Sequence, residues 1–372
     1  MTSLPRCDKN MTEQDDPPTG GFAKLSIQDE DGNDRGIFFH GQNLDINFNA
    51  ILKPRNVTMT ETIPDMSIYR QLLPELASSL KTFQNSGSKF KVLKTVLPSS
   101  ATPQDPRPIP AKPEEQGTLF ILDSSVNPPS IAHRTLAQKV LEKSSLEHHP
   151  ARRRLLLLFA VMNADKAPSP ASFEHRLTMM TIFARDLLDS VSSSMNHIAM
   201  PVDIGVTTQP FYTDKSAAIE TEGREWYPEG PKHIHLIGFD TLTRFFGAKY
   251  YREKFDPPFS ALDPYFDHGH KLRVTLRPGD VAGEYGRVEK QKAFHENLAN
   301  GGMEAEGGKR EWAKQVELVE PVGDEGVSST KIRKAANAED WKEVRRLCTP
   351  GVAEWVKTEG FYKEDSRGAK MA

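Results

Sequence analysis

Short apolar runs alternate with segments of helical periodicity from residue 118 onward, and this alternation limits the possible folds more than any other feature. The runs have the length of strands and lie at 118–125, 152–163, 197–206, 233–240, 270–278 and 314–321. Between them, apolar residues recur at helical spacing, as in 131–145, 173–191 and 289–299. Strands that alternate with helices predict βαβ units, which build a parallel sheet with helices on both faces.

The turn after the first of these strands is a candidate site, because ligands of such sheets bind at the carboxyl ends of the strands. Its sequence is SSVNPPSIAH, at 124–133. Small residues and two prolines give a tight, rigid turn, and the start of the next helix attracts phosphate. The candidate residues are Ser124, Ser125, Asn127, Ser130 and His133. His133 could donate to a transferring phosphoryl group; the alternative is a proline-rich turn with an incidental histidine.

A second candidate turn, GDEGVSSTKIRKAA at 323–336, follows the last predicted strand. Ser328, Ser329 and Thr330 stand at a helix start, and Arg333 lies one turn further on. Hydroxyls, backbone N–H groups and a guanidinium together can bind phosphate. The alternative is an ordinary Ser/Thr N-cap.

Taken together, the NPPSxxH and SSTKIR segments resemble the two signature motifs of the nucleotidylyltransferase superfamily. The SSTKIR form is similar to that of the nicotinamide mononucleotide adenylyltransferases. The resemblance covers roughly 118–365 and implies a Rossmann-like, doubly wound parallel α/β sheet of the nucleotidylyltransferase type. Within the first motif, this sequence has Ser124, Val126, Ser130 and Ala132 where the family has glycine, an aromatic residue, His or Thr, and glycine.

Further positions match the family outside these two motifs. In HLIGFDTL, Gly238 and Asp240 match the residues that contact the adenosine. In DKAPSPASFEHRLTMM, Lys166 matches a phosphate-binding lysine, and Arg277 in LRVTLRPGD matches an arginine that faces the nucleotide.

The resemblance implies transfer of AMP from ATP to the 5′-phosphate of nicotinamide mononucleotide, which gives NAD and pyrophosphate. ATP and nicotinamide mononucleotide would be the substrates and Mg²⁺ the cofactor, held by phosphates and water rather than by protein ligands. His133 would bond the α-phosphate, Lys166 and Arg333 would offset negative charge, and the hydroxyls of 328–330 would hold pyrophosphate. Two alternatives stay open: transfer to another phosphorylated acceptor, and a nucleotide-binding protein with weak or hydrolytic ATPase activity.

The pattern also predicts the organisation of the chain. Residues 1–65 are polar and are expected to be a mostly disordered extension. Residues 66–117 contain a helix, a strand and a proline-rich strap that pack on the main domain, 118–365, and 366–372 form a disordered tail. The three arginines at 152–154 are expected to be a solvated strand entrance.

Composition excludes several other classes of protein. The formal net charge is −3, whereas a nucleic-acid-binding surface needs a concentrated basic field. No apolar run approaches the length of a membrane span, and no signal peptide is recognisable at the N-terminus. The sequence has only two cysteines, without paired spacing, which favours a reducing compartment, so we expect a location in the cytoplasm or the nucleus. The oligomeric state stays open.

Overall fold

The computed structural model describes residues 23–28, 34–39, 65–98, 108–112, 117–141, 153–161, 171–192, 200–277, 286–320, 327–360 and 362. The chain divides into two units, Met1–Glu61 and Thr62–Ala372. In the first unit, strands β1 (Ala23–Gln28) and β2 (Asp34–Phe39) pair antiparallel. Apart from Asp65, which caps the first helix of the second unit, the rest of the predicted extension lies outside the described residues, as does the predicted tail.

The described residues of the second unit contain one sheet of seven strands flanked by helices. The strands are β3 (Phe90–Val96), β4 (Thr118–Asp123), β5 (Arg153–Ala160), β6 (Val202–Thr207), β7 (Lys232–Gly238), β8 (Lys271–Thr275) and β9 (Val316–Val319). The helices are α1 (Met66–Ser86), α2 (Ile131–Leu141), α3 (Phe173–Ser192), α4 (Tyr212–Glu222), α5 (Phe239–Phe245), α6 (Asp263–Asp267), α7 (Val288–Ala299), α8 (Ser329–Asn337), α9 (Trp341–Leu347) and α10 (Pro350–Glu359). No described helix has the length and apolar character needed to cross a membrane.

The strand order confirms the predicted fold class, a doubly wound α/β sheet. The order is β3-β6-β5-β4-β7-β8-β9, and β4 to β9 run parallel. The chain moves outward from β4 in one direction through β5 and β6, and then returns to the other side of β4 to add β7. The order therefore reverses between β4 and β7, which is where such sheets open a crevice for ligands.

Both faces of the sheet are buried at its central strands, as a parallel sheet requires. Successive side chains of β4 point to opposite faces. Phe120 and Leu122 pack into the larger core, which lies against α1, α2, α3 and α10. Leu119 and Ile121 pack into a smaller core with Ile219 of α4. The side chains of β4 are thus buried on both faces of the sheet, which explains why its sequence is a continuous apolar run.

The strand β3 joins the edge of this sheet antiparallel to β6. A buried ion pair between β5 and β6 also bonds β3 and so holds the three strands together. Arg154 Nε lies 2.6 Å from Asp203 Oδ2, and the two side chains are almost completely buried. Thr95 of β3 donates to Asp203 Oδ1 over 2.7 Å, and Tyr227 donates to Oδ2 over 2.8 Å. Each oxygen of the carboxylate is therefore hydrogen-bonded.

This ion pair corrects the expectation that the arginines at 152–154 are solvated. Arg153 and Arg154 are buried residues of β5, while residue 152 lies outside the described residues. Arg154 also donates to the carbonyl of Ile109, and the N–H of Ala111 donates to the carbonyl of Trp226 over 2.8 Å. The guanidinium thus joins the described part of the proline-rich segment to the sheet.

We predict that Asp203→Asn destabilises the fold strongly, because it leaves the charge of Arg154 buried without a counter-charge. Breaking a buried pair in this way costs about 3–5 kcal/mol, which urea unfolding would measure. The matched control is Glu343→Gln, which removes an exposed pair with Arg346 and should change the free energy of unfolding little. Equal effects of the two substitutions would contradict the structural role of the buried pair.

Candidate functional site

The turn after β4 is held in a strained conformation at the point where the sheet opens its crevice. The N–H of Ser124 donates to the carbonyl of Leu158 in β5 over 3.2 Å. Two residues later, Val126 has a φ of +40°, which is unusual for a β-branched residue and costs about 1–3 kcal/mol. Strain of this kind persists where the surrounding contacts enforce it, and it is frequent at functional sites.

His133, in the first turn of α2, points back into this turn and is bonded through both ring nitrogens. Its Nδ1 accepts from the N–H of Ser130 over 3.0 Å and lies 2.8 Å from Ser130 Oγ. Its Nε2 lies 2.7 Å from Ser124 Oγ. Because a backbone N–H can only donate, Nδ1 must be the acceptor, and the neutral ring carries its proton on Nε2. His133 is therefore a hydrogen-bond donor on the side that faces Ser124.

The surroundings of His133 also keep the ring uncharged. Burial lowers the pKa of His133 to about 4, because transfer of the ring out of water penalises its charged form. At neutral pH the residue thus serves as a neutral donor, and it has no free nitrogen with which to act as a base.

The structure brings the two predicted motifs into direct contact, although they are about 200 residues apart in the chain. Arg333 Nη1 donates to the carbonyl of Asn127 over 2.8 Å. Ser329 Oγ donates to the carbonyl of Pro128, also over 2.8 Å. The start of α8 is thereby fixed against the turn after β4, so that both motifs can face one ligand.

The side chain of Asn127 is held from a third segment, which sequence reasoning did not place at the site. Tyr362, near the end of the described chain, donates to Asn127 Oδ1 over 2.6 Å and is buried. Tyr362 follows α10 and has no sequence pattern that distinguishes it from a core aromatic residue.

The remaining hydroxyls of the second motif make local bonds. Ser328 Oγ accepts from the N–H of Lys331 over 3.3 Å and caps α8. Thr330 Oγ1 accepts from Arg333 Nη2 over 3.2 Å. The N-cap alternative therefore describes Ser328 correctly, whereas Arg333 and Ser329 connect the motif to the turn after β4.

The residues predicted at the ends of β7 and β8 also meet. Gly238 ends β7, and a Cβ at this position would meet no heavy atom within 4 Å. Asp240, in the first turn of α5, forms an ion pair with Arg277, which follows β8. Both side chains are about half exposed, and they follow the two strands next to β4 on the side opposite β5. Lys166, by contrast, lies outside the described residues.

A polar cavity of about 270 Å³ opens beside the turn after β4. Ser124, Ser125 and Tyr212 line it, together with residues that sequence reasoning missed, namely Asp123, Ala160, Lys215, Thr241 and Arg244. Lys215 is buried and forms an ion pair with Asp123, and its ammonium lies 4.9 Å from the centre of the Tyr212 ring. The rule that ligands bind at strand ends could have identified Lys215, because it lies in the first turn of the helix that follows β6.

A separate cluster of Glu220, His268 and His270 has the spacing of a metal site. His268 Nδ1 lies 2.9 Å from one oxygen of Glu220, and His270 Nε2 lies 3.1 Å from the other. The N–H of His233, however, donates to His270 Nδ1 over 3.1 Å, so the neutral ring keeps its proton on Nε2. A nitrogen that carries a proton cannot ligate a metal, so His270 does not offer a ligand through Nε2, and Glu220 is instead hydrogen-bonded to His268.

Fold and site together define a doubly wound α/β protein whose crevice is built from helix N-termini, hydroxyls and guanidinium groups, which is the chemistry that binds phosphates. No protein-family model matches the chain. A curated protein of Schizosaccharomyces pombe (strain 972 / ATCC 24843), named "Putative nicotinamide mononucleotide adenylyltransferase", is 27% identical over 253 residues. The match covers 66% of this chain and 86% of that protein.

Two solved structures have weaker likenesses. Both are of Plasmodium falciparum nicotinic acid mononucleotide adenylyltransferase, one complexed with NaAD and one with APC. Their identities are 15% and 14%, their TM-scores are 0.42 and 0.41, and each match covers 67% of this chain and 98% of the other. At these scores they add nothing to the assignment. The similarity to the curated relative agrees with the resemblance of the two motifs to those of the nicotinamide mononucleotide adenylyltransferases.

We predict that His133 titrates near pH 4 in the folded protein, rather than near the ordinary value of 6.5. Because the unfolded chain then binds the proton first as the pH falls, His133 contributes stability that is present above about pH 6.5 and lost between there and pH 4. The ring proton shifts of His133, followed by NMR in native buffer and in urea, would measure both values. A midpoint near 6.5 in the folded state would contradict the burial of the ring.

Proposed function

We propose that this protein transfers AMP from ATP to the 5′-phosphate of nicotinamide mononucleotide, forming NAD and releasing pyrophosphate. An oxygen of the acceptor phosphate attacks the α-phosphorus, and the bond between that phosphorus and the oxygen bridging to the β-phosphate breaks. The acceptor phosphate is already a nucleophile, so the protein needs neither a general base nor a covalent intermediate. Its task is to align two phosphates and to stabilise the charge that develops between them.

The observation that carries this proposal is the contact between the two motif turns at the reversal of the strand order. Arg333 reaches the carbonyl of Asn127, so its guanidinium stands beside the turn that contains Ser124 and His133. A phosphate chain lying across the crevice would meet the donors of both turns. Lys166, as the matching family residue, is proposed to bind phosphate as well.

The polar cavity supports a phosphorylated acceptor next to these donors. Lys215 is already compensated by Asp123, whereas Arg244 donates to the hydroxyl of Thr241 over 3.2 Å and brings a further positive charge. Such a lining suits an anionic group better than a neutral one. The same lining could accept the nicotinamide or the nicotinate form of the mononucleotide, and the assay below compares the two.

Mg²⁺ is proposed to enter with ATP. The described carboxylates beside the crevice are engaged in ion pairs, Asp123 with Lys215 and Asp240 with Arg277. Such a site suits an ion that is bound by phosphates and keeps water ligands. When bound, the ion would help to neutralise the phosphate oxygens; the residues of this chain orient the phosphates and donate hydrogen bonds to them.

The test is incubation of the full chain with Mg-ATP and each acceptor mononucleotide, with chromatography of the products. Dinucleotide and pyrophosphate in equal amounts are expected. Free phosphate or AMP without dinucleotide would show that the protein hydrolyses ATP rather than transferring AMP. Dinucleotide formed only from an acceptor other than a pyridine mononucleotide would show that the proposed acceptor is wrong. Absence of all products would overturn the proposed function.

We predict that Arg333→Ala lowers turnover by about 10²–10³, the typical cost of removing one preorganised donor to a developing charge. Arg333→Lys should recover only part of this loss, because an ammonium keeps the charge but lacks the planar fork. The matched control is Arg346→Lys, at an exposed arginine paired with Glu343, which should leave turnover and melting unchanged. Normal turnover in Arg333→Ala would remove the second motif from the reaction.

A further inference from the structure

The hydrogen bonds around Ser124 determine which of its groups is left for a ligand. His133 carries its proton on Nε2 because Nδ1 accepts from the N–H of Ser130. Over 2.7 Å, this Nε2–H donates to Ser124 Oγ. The N–H of Val126 donates to the same oxygen over 3.3 Å. A hydroxyl oxygen has two lone pairs and one proton, so both lone pairs are occupied and the O–H remains as a donor.

This remaining donor lies at the edge of a space that a substrate can enter. Ser124 lines the polar cavity, together with Lys215 and Arg244. Ser130 N–H donates to His133 Nδ1, and His133 Nε2–H donates to Ser124 Oγ, so one directed chain of hydrogen bonds ends at this cavity. Each bond of such a chain polarises the next, so the Ser124 hydroxyl is a stronger and better-oriented donor than an isolated serine.

We propose that the Ser124 hydroxyl donates a hydrogen bond to the α-phosphate that is transferred, and that His133 is a positioning residue that acts through Ser124. This inference rests on the proposed function and refines the role of its best-matched residue. In the resembling motif a glycine stands at this position, where a histidine could reach the phosphate without an intermediary. Here the Ser124 oxygen accepts the bond from His133 Nε2, and the Ser124 O–H is the donor that faces the cavity.

The same geometry excludes Ser124 as a nucleophile. To activate the hydroxyl, His133 would need an unprotonated Nε2, and the bond from Ser130 assigns the proton to that atom. No proton leaves Ser124 in this proposal, and no covalent bond forms to it. Mass spectrometry of the protein during turnover should therefore find no adenylylated serine.

The first experiment is a double-mutant cycle on the full chain, with Ser124→Ala, His133→Ala and the double variant. If the two residues form one chain, each single variant should lose about 10²-fold in kcat, and the double variant should lose no more than the worse single one. Losses that multiply would show that His133 meets the phosphate on its own. A rise of kcat in Ser124→Ala would show that the serine blocks the histidine. Either result overturns the proposal.

Two further variants separate this role from a purely structural one. Ser124→Thr keeps the hydroxyl and should retain most of the wild-type kcat at an unchanged KM. Ser260→Ala removes a hydroxyl that bonds the carbonyl of Pro257 in a distant turn, and it should change neither. Melting temperatures of all variants identify any that fail to fold. A Ser124→Thr protein as slow as Ser124→Ala would argue against the hydroxyl as the active group.

The last measurement does not depend on the transfer reaction. In ³¹P NMR of the protein with Mg-ATP alone, Ser124→Ala should shift the α-phosphorus resonance of bound ATP relative to wild type, and Ser260→Ala should not. An unshifted α-phosphorus overturns the hydroxyl contact even if dinucleotide is formed. A shifted resonance in a protein that forms no dinucleotide keeps the contact and overturns only the proposed function.

Discussion

Six parallel strands must end at the same edge of their sheet, and the arrangement of this molecule follows from that constraint. The turn after β4, the start of α4 after β6, Gly238 after β7 and Arg277 after β8 all reach this edge because their strands run in one direction. The reversal of the strand order between β4 and β7 then leaves a crevice among them. Residues that are 206 positions apart, Asn127 and Arg333, can therefore share a hydrogen bond.

Bringing these turns together requires local strain and buried charge, and specific contacts compensate for both. Val126 keeps a positive φ while Arg333, Ser329 and Tyr362 hold the two residues that follow it. At the edge of the sheet, Asp203 binds Arg154, Thr95 and Tyr227, so that β3 and the described part of the proline-rich segment are fixed to β5 and β6. Removing one partner of either network leaves a buried polar group unpaired, which costs more than the bond itself contributes.

The sequence predicts those parts of this structure that depend on local pattern. The central strands β4, β5 and β6 appear as continuous runs because both of their faces are buried. The helix starts at Ser328 and near His133 carry polar residues in a recognisable order. Partners that come from distant segments could not be predicted in this way. Arg154 looks like a solvated residue until Asp203, 49 positions later, is placed beside it. The local pattern around Lys215 equally suits a lysine on the surface of a helix. The local pattern around Tyr362 equally suits an ordinary tyrosine of the core.

The distribution of charge around the crevice indicates why a phosphorylated ligand would complete it. Lys215 and Arg277 are each paired with a carboxylate, whereas the described contacts of Arg333 and Arg244 are with neutral oxygens of Asn127, Thr330 and Thr241. The first two cations are thus compensated within the protein, and the last two remain available to a ligand. Because an anion that binds them adds favourable interactions only in the folded state, its binding must also raise the free energy of unfolding. The charges that would attract a phosphate are therefore the same charges through which its binding would stabilise the fold.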